Sequence, residues 1–100
     1  MNDKLTKHLL RIAKTIDEEQ VYLSIFDEKI NSIIDNKKKN TKDKIFELRM
    51  LLMQLKEFLK DDQSIFLMKE GERHYNVSRI VIKTIKKNIK KKIKELYETL

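Results

Sequence analysis

The chain contains one glycine and no proline in 100 residues, and this restricts its fold more than any other feature. Several short strands would need tight turns, and glycine and proline are the residues that most often form them. Long helices need neither residue. The sequence therefore predicts an all-α fold, an elongated bundle of three main helices with a short segment before the last one.

One hundred residues bury a single modest core, so we expect one helical domain. Within it we predict a long helix over residues 3–35, a central helix over 43–60, a short segment over 64–75 and a basic C-terminal helix over 77–100. Residues 36–42 are wholly polar and predict a loop, with Thr41 as a candidate N-cap of the central helix. Asp62 or Ser64 is expected to open the short segment.

We expect the flanking helices to pack against the central helix, because its apolar residues have the 3-4-3-4 spacing of a helix face. These residues are Ile45, Leu48, Leu52, Leu55 and Leu59. Five further apolar side chains widen this face, namely Phe46, Met50, Leu51, Met53 and Phe58. For the Met and Phe residues of the central helix and the segment after it, we expect core packing rather than a binding groove. These are Phe46, Met50, Met53, Phe58, Phe66 and Met68.

The first 35 residues carry an apolar seam with heptad-like spacing. Its members are Leu9, Ile12, Ile16, Leu23, Phe26, Ile30 and Ile33. Thr15 and Glu18 match a capping box that would start a second helix, but no glycine or proline forces a break. We favour one helix, with two helices as the alternative. A seam of this length predicts a homodimer through the N-terminal helix, in which Glu19 can fix the register.

Residues 64–76 are compatible with two structures. One is a short helix broken near Gly71, and the other is a hairpin that pairs residues 65–69 with 72–77 across Glu70 and Gly71. We favour the helix, because an isolated two-stranded hairpin is only marginally stable in water.

The net charge of +7 is concentrated at the C-terminus, where residues 77–100 hold eight Lys and Arg against two acids. At about 100° per residue, one stripe of the last helix is apolar. It comprises Ile82, Ile85, Ile89, Ile93, Leu96 and Leu100. Seven basic residues form a second surface, which we call the basic arc. They are Arg79, Lys83, Lys86, Lys87, Lys90, Lys91 and Lys94, with Ile80 among them and Lys92 on the opposite flank.

Most of the basic arc lacks an acidic partner in the sequence. Glu95 and Glu98 can pair with Lys91 and Lys94 at i,i+4, and the remaining lysines have no such neighbour. Like charges repel one another unless an anion neutralises them. Duplex nucleic acid carries about one charge per 1.7 Å, so the arc predicts a nucleic-acid-binding protein, with double-stranded DNA favoured.

Residues 74–83, HYNVSRIVIK, resemble the turn and the start of the recognition helix in helix-turn-helix DNA-binding proteins. The resemblance covers about residues 64–87. It implies that Tyr75 and Val77 pack inward, that Ser78 caps the helix and that Ile82 anchors it to the core.

The same resemblance implies base contacts in the major groove, with Arg79 suited to guanine edges and Ile80 to a thymine methyl. Ser78 and Lys83 would face the groove beside them. Together with the charge argument, this predicts a set of nucleic-acid-binding residues. The set is Ser78, Arg79, Ile80, Lys83, Lys86, Lys87, Lys90, Lys91 and Lys94.

The sequence gives little support for a catalytic site or a metal site. His8 and His74 lie in different segments, and no Ser/His/Asp order can be assembled. Glu70 and His74 could both bind a metal ion from one helix face. Two possible ligands on an exposed segment are a weak signal, so we expect both side chains to be solvated instead. The lack of cysteine excludes thiolate sites and suits a reducing cytosol. We therefore predict a cytoplasmic, non-enzymatic protein without a metal or cofactor.

A second class of function is compatible with the same charge and size. The chain can be a protein-interaction module that binds an acidic protein or membrane surface, as small bacteriocin immunity proteins bind their partners. The membrane version is weaker, because the basic helix offers Tyr97 but no Trp or Phe to an interface. No apolar run approaches the roughly 18 residues that a membrane span requires.

Overall fold

The structure, a computed structural model, describes residues 3–100 and combines three helices with one β-hairpin. The elements are α1 (Asp3–Ile34), α2 (Thr41–Leu59), β1 (Ile65–Glu70), β2 (Arg73–Ser78) and α3 (Arg79–Glu98). The described part of the chain is therefore mostly helical, and our prediction of an all-α fold is wrong for one segment. The molecule is elongated, with extents of 61 × 25 × 23 Å.

The segment between α2 and α3 is the hairpin and not the short helix we favoured over residues 64–75. β1 and β2 pair antiparallel, with Ile65 opposite Ser78 and Glu70 opposite Arg73. Gly71 has a φ of 61° and no other residue has a positive φ among residues 3–100, so Gly71 takes the first central position of a type II′ turn. This turn matches the twist of the flanking strands.

Tertiary contacts explain why a two-stranded hairpin persists here. Alternate side chains on its inner face, Phe66, Met68, Tyr75 and Val77, are buried in the core. Tyr22 of α1 packs against Tyr75 with ring centroids 6.2 Å apart. Burial on one face supplies the stabilisation that an isolated hairpin lacks.

Helix α1 is one unbroken helix through the candidate capping box. Thr15 Oγ1 donates to the Arg11 carbonyl at 3.0 Å, a bond within the helix, instead of capping a new one. Glu18 accepts from the Asn76 backbone N–H at 2.6 Å, and Glu19 accepts from the Ser78 hydroxyl at 3.3 Å. Both carboxylates therefore fasten the hairpin to α1.

The predicted seam of α1 divides into a buried half and an exposed half. Phe26 and Ile30 join the core together with Tyr22, which the heptad pattern did not include. Residues 3–17 form what we call the N-terminal arm, where every side chain is exposed except the half-buried Thr15. The arm extends α1 beyond the packed part of the molecule.

Helices α2 and α3 pack against each other through the stripes that their sequences predict. The buried residues are Ile45, Leu48, Leu52 and Leu55 of α2, with Ile82, Ile85, Ile89 and Ile93 of α3. Leu100 follows the end of α3 and is exposed, in contrast to the predicted stripe.

The outer face of α2 remains open to solvent, so our prediction of core packing is wrong for four of its residues. The exposed residues are Phe46, Met50, Met53 and Phe58, whereas Phe66 and Met68 of β1 are buried. A helix in this arrangement has neighbours on one side only, and an apolar face wider than that side stays exposed.

The helix caps differ in part from the sequence expectation. Asn40 caps α2, because its side-chain oxygen accepts from the Asp43 N–H at 2.9 Å, and Thr41 is the first helical residue. Ser78 caps α3 by accepting from the Val81 N–H at 3.4 Å. No helix opens at Asp62 or at residue 64, because β1 begins at residue 65.

Candidate nucleic-acid interface

Burial of the apolar stripe fixes which side of α3 faces solvent. Ile82, Ile85 and Ile89 point inward, so the residues on the opposite side of the helix point outward. The exposed lysines of the basic arc are Lys83, Lys87, Lys90, Lys91 and Lys94, and Lys86 is half-buried. Ile80 lies on the same side with 75% of its surface exposed.

Four of these lysines follow one line along the helix. Lys83, Lys87, Lys90 and Lys94 are spaced by four, three and four residues, which keeps them on one side of α3. At 1.5 Å per residue the line is about 16 Å long. Duplex DNA presents several phosphate charges over that distance.

The lysines of the arc are not neutralised by the acids of their own helix. Glu95 lies 3.6 Å from Lys92, on the opposite flank, and does not pair with Lys91 as we expected. Within residues 3–100, no ion pair reaches any of the six lysines of the basic arc. Their charge is therefore available to an anion from solution.

A lysine from α2 adds to this surface. The pKa of Lys86 is lowered by burial and then by the positive charges of Lys90, Lys56 and Lys83. Lys56 belongs to α2, so part of the positive charge that acts on Lys86 comes from the neighbouring helix. The sequence pattern of α3 alone could not identify Lys56, because its effect depends on how α2 and α3 pack.

A shallow groove runs along the arc. It encloses about 420 Å³ and is lined by Ile80, Lys83, Thr84, Lys86, Lys87 and Lys90. Thr84 Oγ1 donates to the Ile80 carbonyl at 2.9 Å, which leaves the isoleucine side chain as the apolar part of the groove. An anion in this groove would lie among the side chains of four lysines.

Arg79 is directed away from the groove. Its Nη1 donates to the Asp61 carbonyl at 2.6 Å and to the Gln63 carbonyl at 3.3 Å, and its Nη2 donates to the Leu59 carbonyl at 2.7 Å. The guanidinium carbon also lies 5.9 Å from the centre of the Phe66 ring. Carbonyls at a helix C-terminus lack partners within the helix, and a cation satisfies them well. Arg79 therefore ties the end of α2 to the start of α3.

Ser78 is likewise engaged within the chain, since its hydroxyl both caps α3 and donates to Glu19. Tyr75 and Val77 are buried and lie in β2. A strand therefore precedes α3 where the helix-turn-helix motif has a helix. We accordingly base the candidate interface on the lysines of α3 and on Ile80, without base contacts from Arg79 and Ser78.

The other chemistry-bearing residues do not converge. In the hairpin register Glu70 faces Arg73 while His74 faces Lys69, so Glu70 and His74 lie on opposite faces of the sheet. Glu70 instead pairs with Lys29 at 2.6 Å. Over residues 3–100, no three His, Cys, Asp or Glu side chains are grouped in a way that could hold a metal ion.

No protein-family model, curated protein or solved structure matches this chain. Among the helices of residues 3–100, none has the length and apolar character needed to cross a membrane. The geometry and charge of the basic arc are therefore the features of this chain that point to a function.

Proposed function

We propose that this protein binds nucleic acid, with double-stranded DNA favoured, through the six lysines of the basic arc, and that it catalyses no reaction. The observation that supports this most directly is the line of Lys83, Lys87, Lys90 and Lys94, which is exposed and has no ion pair within residues 3–100. Evenly spaced cations on a rigid helix suit an evenly charged backbone.

The chemistry of the arc favours phosphate contacts over base recognition. Lysine ammonium groups act as point charges, whereas arginine is the residue suited to paired contacts with guanine. Arg79, the arginine of α3, is occupied by the end of α2. Ile80 alone offers an apolar contact to a thymine methyl. We therefore expect binding that depends strongly on salt and weakly on sequence.

Fluorescence anisotropy with a labelled mixed-sequence duplex at several salt concentrations tests this proposal. Replacing Lys83, Lys87, Lys90 and Lys94 together with Gln should weaken binding and reduce the slope of log K against log salt by about 3 to 4.

A matched control removes the same charge elsewhere, by replacing Lys14, Lys37, Lys38 and Lys69 with Gln. All four lie outside α3 and are exposed. We expect this variant to keep most of its affinity. An equal loss in both folded variants would mean that net charge alone attracts the duplex, and the proposed interface would be wrong.

A second candidate function is binding an acidic protein. It is favoured by the exposed apolar residues Phe46, Met50 and Met53 on α2, since apolar residues beside a charged surface are typical of protein interfaces. Competition distinguishes the two candidates. Poly-glutamate at equal charge should displace the duplex poorly if the arc is adapted to phosphates, and displacement equal to that by unlabelled duplex would favour an acidic protein.

A further inference from the structure

The side of α2 that flanks its contact with α3 carries a second line of basic residues. Lys42, Arg49 and Lys56 follow one another at intervals of seven residues, which is close to two helical turns, so they lie on one side of α2. All three side chains are exposed, and no ion pair reaches them within residues 3–100. We call these three residues the α2 row. Like the lysines of the basic arc, they are available to an anion from solution.

The acids of α2 leave the α2 row without compensation. Glu47 pairs with Lys39, and Glu57 pairs with Lys60 at 3.0 Å. Asp43 lies four residues before Glu47, and this spacing places both acids together on another side of the helix. The α2 row is therefore a positively charged surface and not one half of a set of ion pairs within α2.

Two interactions place the α2 row beside the basic arc. The guanidinium carbon of Arg49 lies 5.4 Å from the centre of the Tyr97 ring. Tyr97 follows Lys86 by about three helical turns, so these two residues lie on the same side of α3. Burial, and then the charges of Lys90 and Lys56, lower the pKa of Lys86. The α2 row and the basic arc therefore lie on the same side of the packed pair of helices.

We propose that the α2 row binds phosphates of the second strand of a duplex whose first strand lies on the basic arc. The inference rests on the proposed function and adds that the site takes a double strand in preference to a single strand. The axes of packed helices are about 8–10 Å apart, and the backbones of duplex DNA are separated by grooves about 6 and 12 Å wide. Two lines of cations at that separation can meet both strands, whereas a single strand can follow only one line.

The length of the α2 row sets the expected number of contacts. From Lys42 to Lys56 the helix rises about 21 Å, a distance over which one strand of B-DNA presents about six phosphates. Each of the three cations can therefore take a different phosphate. Three such contacts should contribute about 2.7 to the slope of log K against log salt for a duplex.

Anisotropy titrations with a labelled duplex, and with one of its strands alone, test this inference. Replacing Lys42, Arg49 and Lys56 together with Gln should lower the duplex salt slope by about 2 to 3. Binding of the single strand should change much less, because a single strand can use the lysines of α3 alone. The double variant Lys42→Gln with Lys56→Gln retains the contact between Arg49 and Tyr97 and should lower the duplex slope by about 2. The double variant keeps the test valid if the triple variant does not fold.

Replacing Lys14, Lys37 and Lys69 with Gln is the matched control, since these exposed lysines lie outside α2 and α3. The control should keep the duplex slope of the parent, and a loss equal to that of the α2 variant would overturn the inference.

Comparison with the α3 variant in which four lysines are replaced separates this inference from the proposed function. A folded α2 variant with the parent's duplex slope, beside an α3 variant that loses its slope, would overturn the inference and leave the proposed function standing. If neither variant changes the slope, both proposals are wrong. Equal losses on the duplex and on the single strand would also overturn the inference, because the α2 row would then not bind a second strand.

Discussion

Replacing Arg79 with Ala separates a structural role for this residue from base recognition. In the structure its guanidinium donates three hydrogen bonds, to the carbonyls of Leu59, Asp61 and Gln63. Each is expected to contribute about 0.5–1.5 kcal/mol net, and the partial exposure of the site favours the lower half of that range. We therefore expect Arg79→Ala to lower the free energy of unfolding by about 2 kcal/mol.

Chemical and thermal denaturation measure this effect. For a chain of this size, a loss of about 2 kcal/mol corresponds to a Tm lower by about 10 °C. Arg79→Lys keeps the charge but cannot bridge three carbonyls, so it should recover only part of the loss. Lys91→Ala, at an exposed position of the same helix, is the control for removing a charge and should stay within about 0.5 kcal/mol of the parent.

If Arg79→Ala is as stable as the parent but loses affinity for a preferred duplex and not for mixed sequence, Arg79 contacts bases. The carbonyl contacts at the end of α2 would then contribute nothing measurable. If the contacts are structural, affinity for both duplexes changes only as far as the folded fraction changes.

Three further changes test other parts of the structure. Burial, and then the charge of Glu70, raises the pKa of Tyr22 above its ordinary value of 10.0. The folded state therefore holds the phenol proton more tightly than the unfolded state does. The free energy of unfolding should fall as pH rises above about 10. Denaturation across that range should show the decline, and Tyr22→Phe should reduce it. Asn40→Ala removes the cap of α2 and should cost about 1 kcal/mol in urea denaturation, whereas an unchanged midpoint would show that the cap is dispensable. Ile80→Ala should change stability by less than about 0.5 kcal/mol, and a loss of several kcal/mol would mean that Ile80 is a core residue.

Periodicity in the sequence predicts the inner faces of α2 and α3, because Leu48 and Leu52, like Ile85 and Ile89, repeat at the helical period. It does not predict how much of an apolar face finds a neighbour. Phe46 and Met53 follow the same period as the core and are exposed, since helices and strands cover only one side of α2. The number of neighbours is a tertiary property that no local pattern contains.

The hairpin and the role of Arg79 depend on contacts between distant segments. Phe66 and Met68 alternate as strand residues do, but a hairpin of this length is stable only when α1 covers it. The Glu18 carboxylate that binds Asn76 lies 58 residues away in sequence. The helix-turn-helix resemblance implies base contacts for Arg79, and the sequence alone does not reveal its partners in the structure. Those partners, the carbonyls of Leu59, Asp61 and Gln63, come near Arg79 only when the loop after α2 folds back.

The bond between Glu18 and Asn76 has a consequence for how the chain opens and closes. α2, the hairpin and α3 are joined by short connections, whereas α1 meets β2 only by closing a loop of nearly 60 residues. Contacts of that range tend to form late in folding and to open first in local unfolding. The Asn76 amide hydrogen, bonded to the Glu18 side chain, should therefore exchange with solvent at the rate at which α1 undocks. Amides within α2 and α3 should exchange more slowly, since they are released only when the whole chain unfolds.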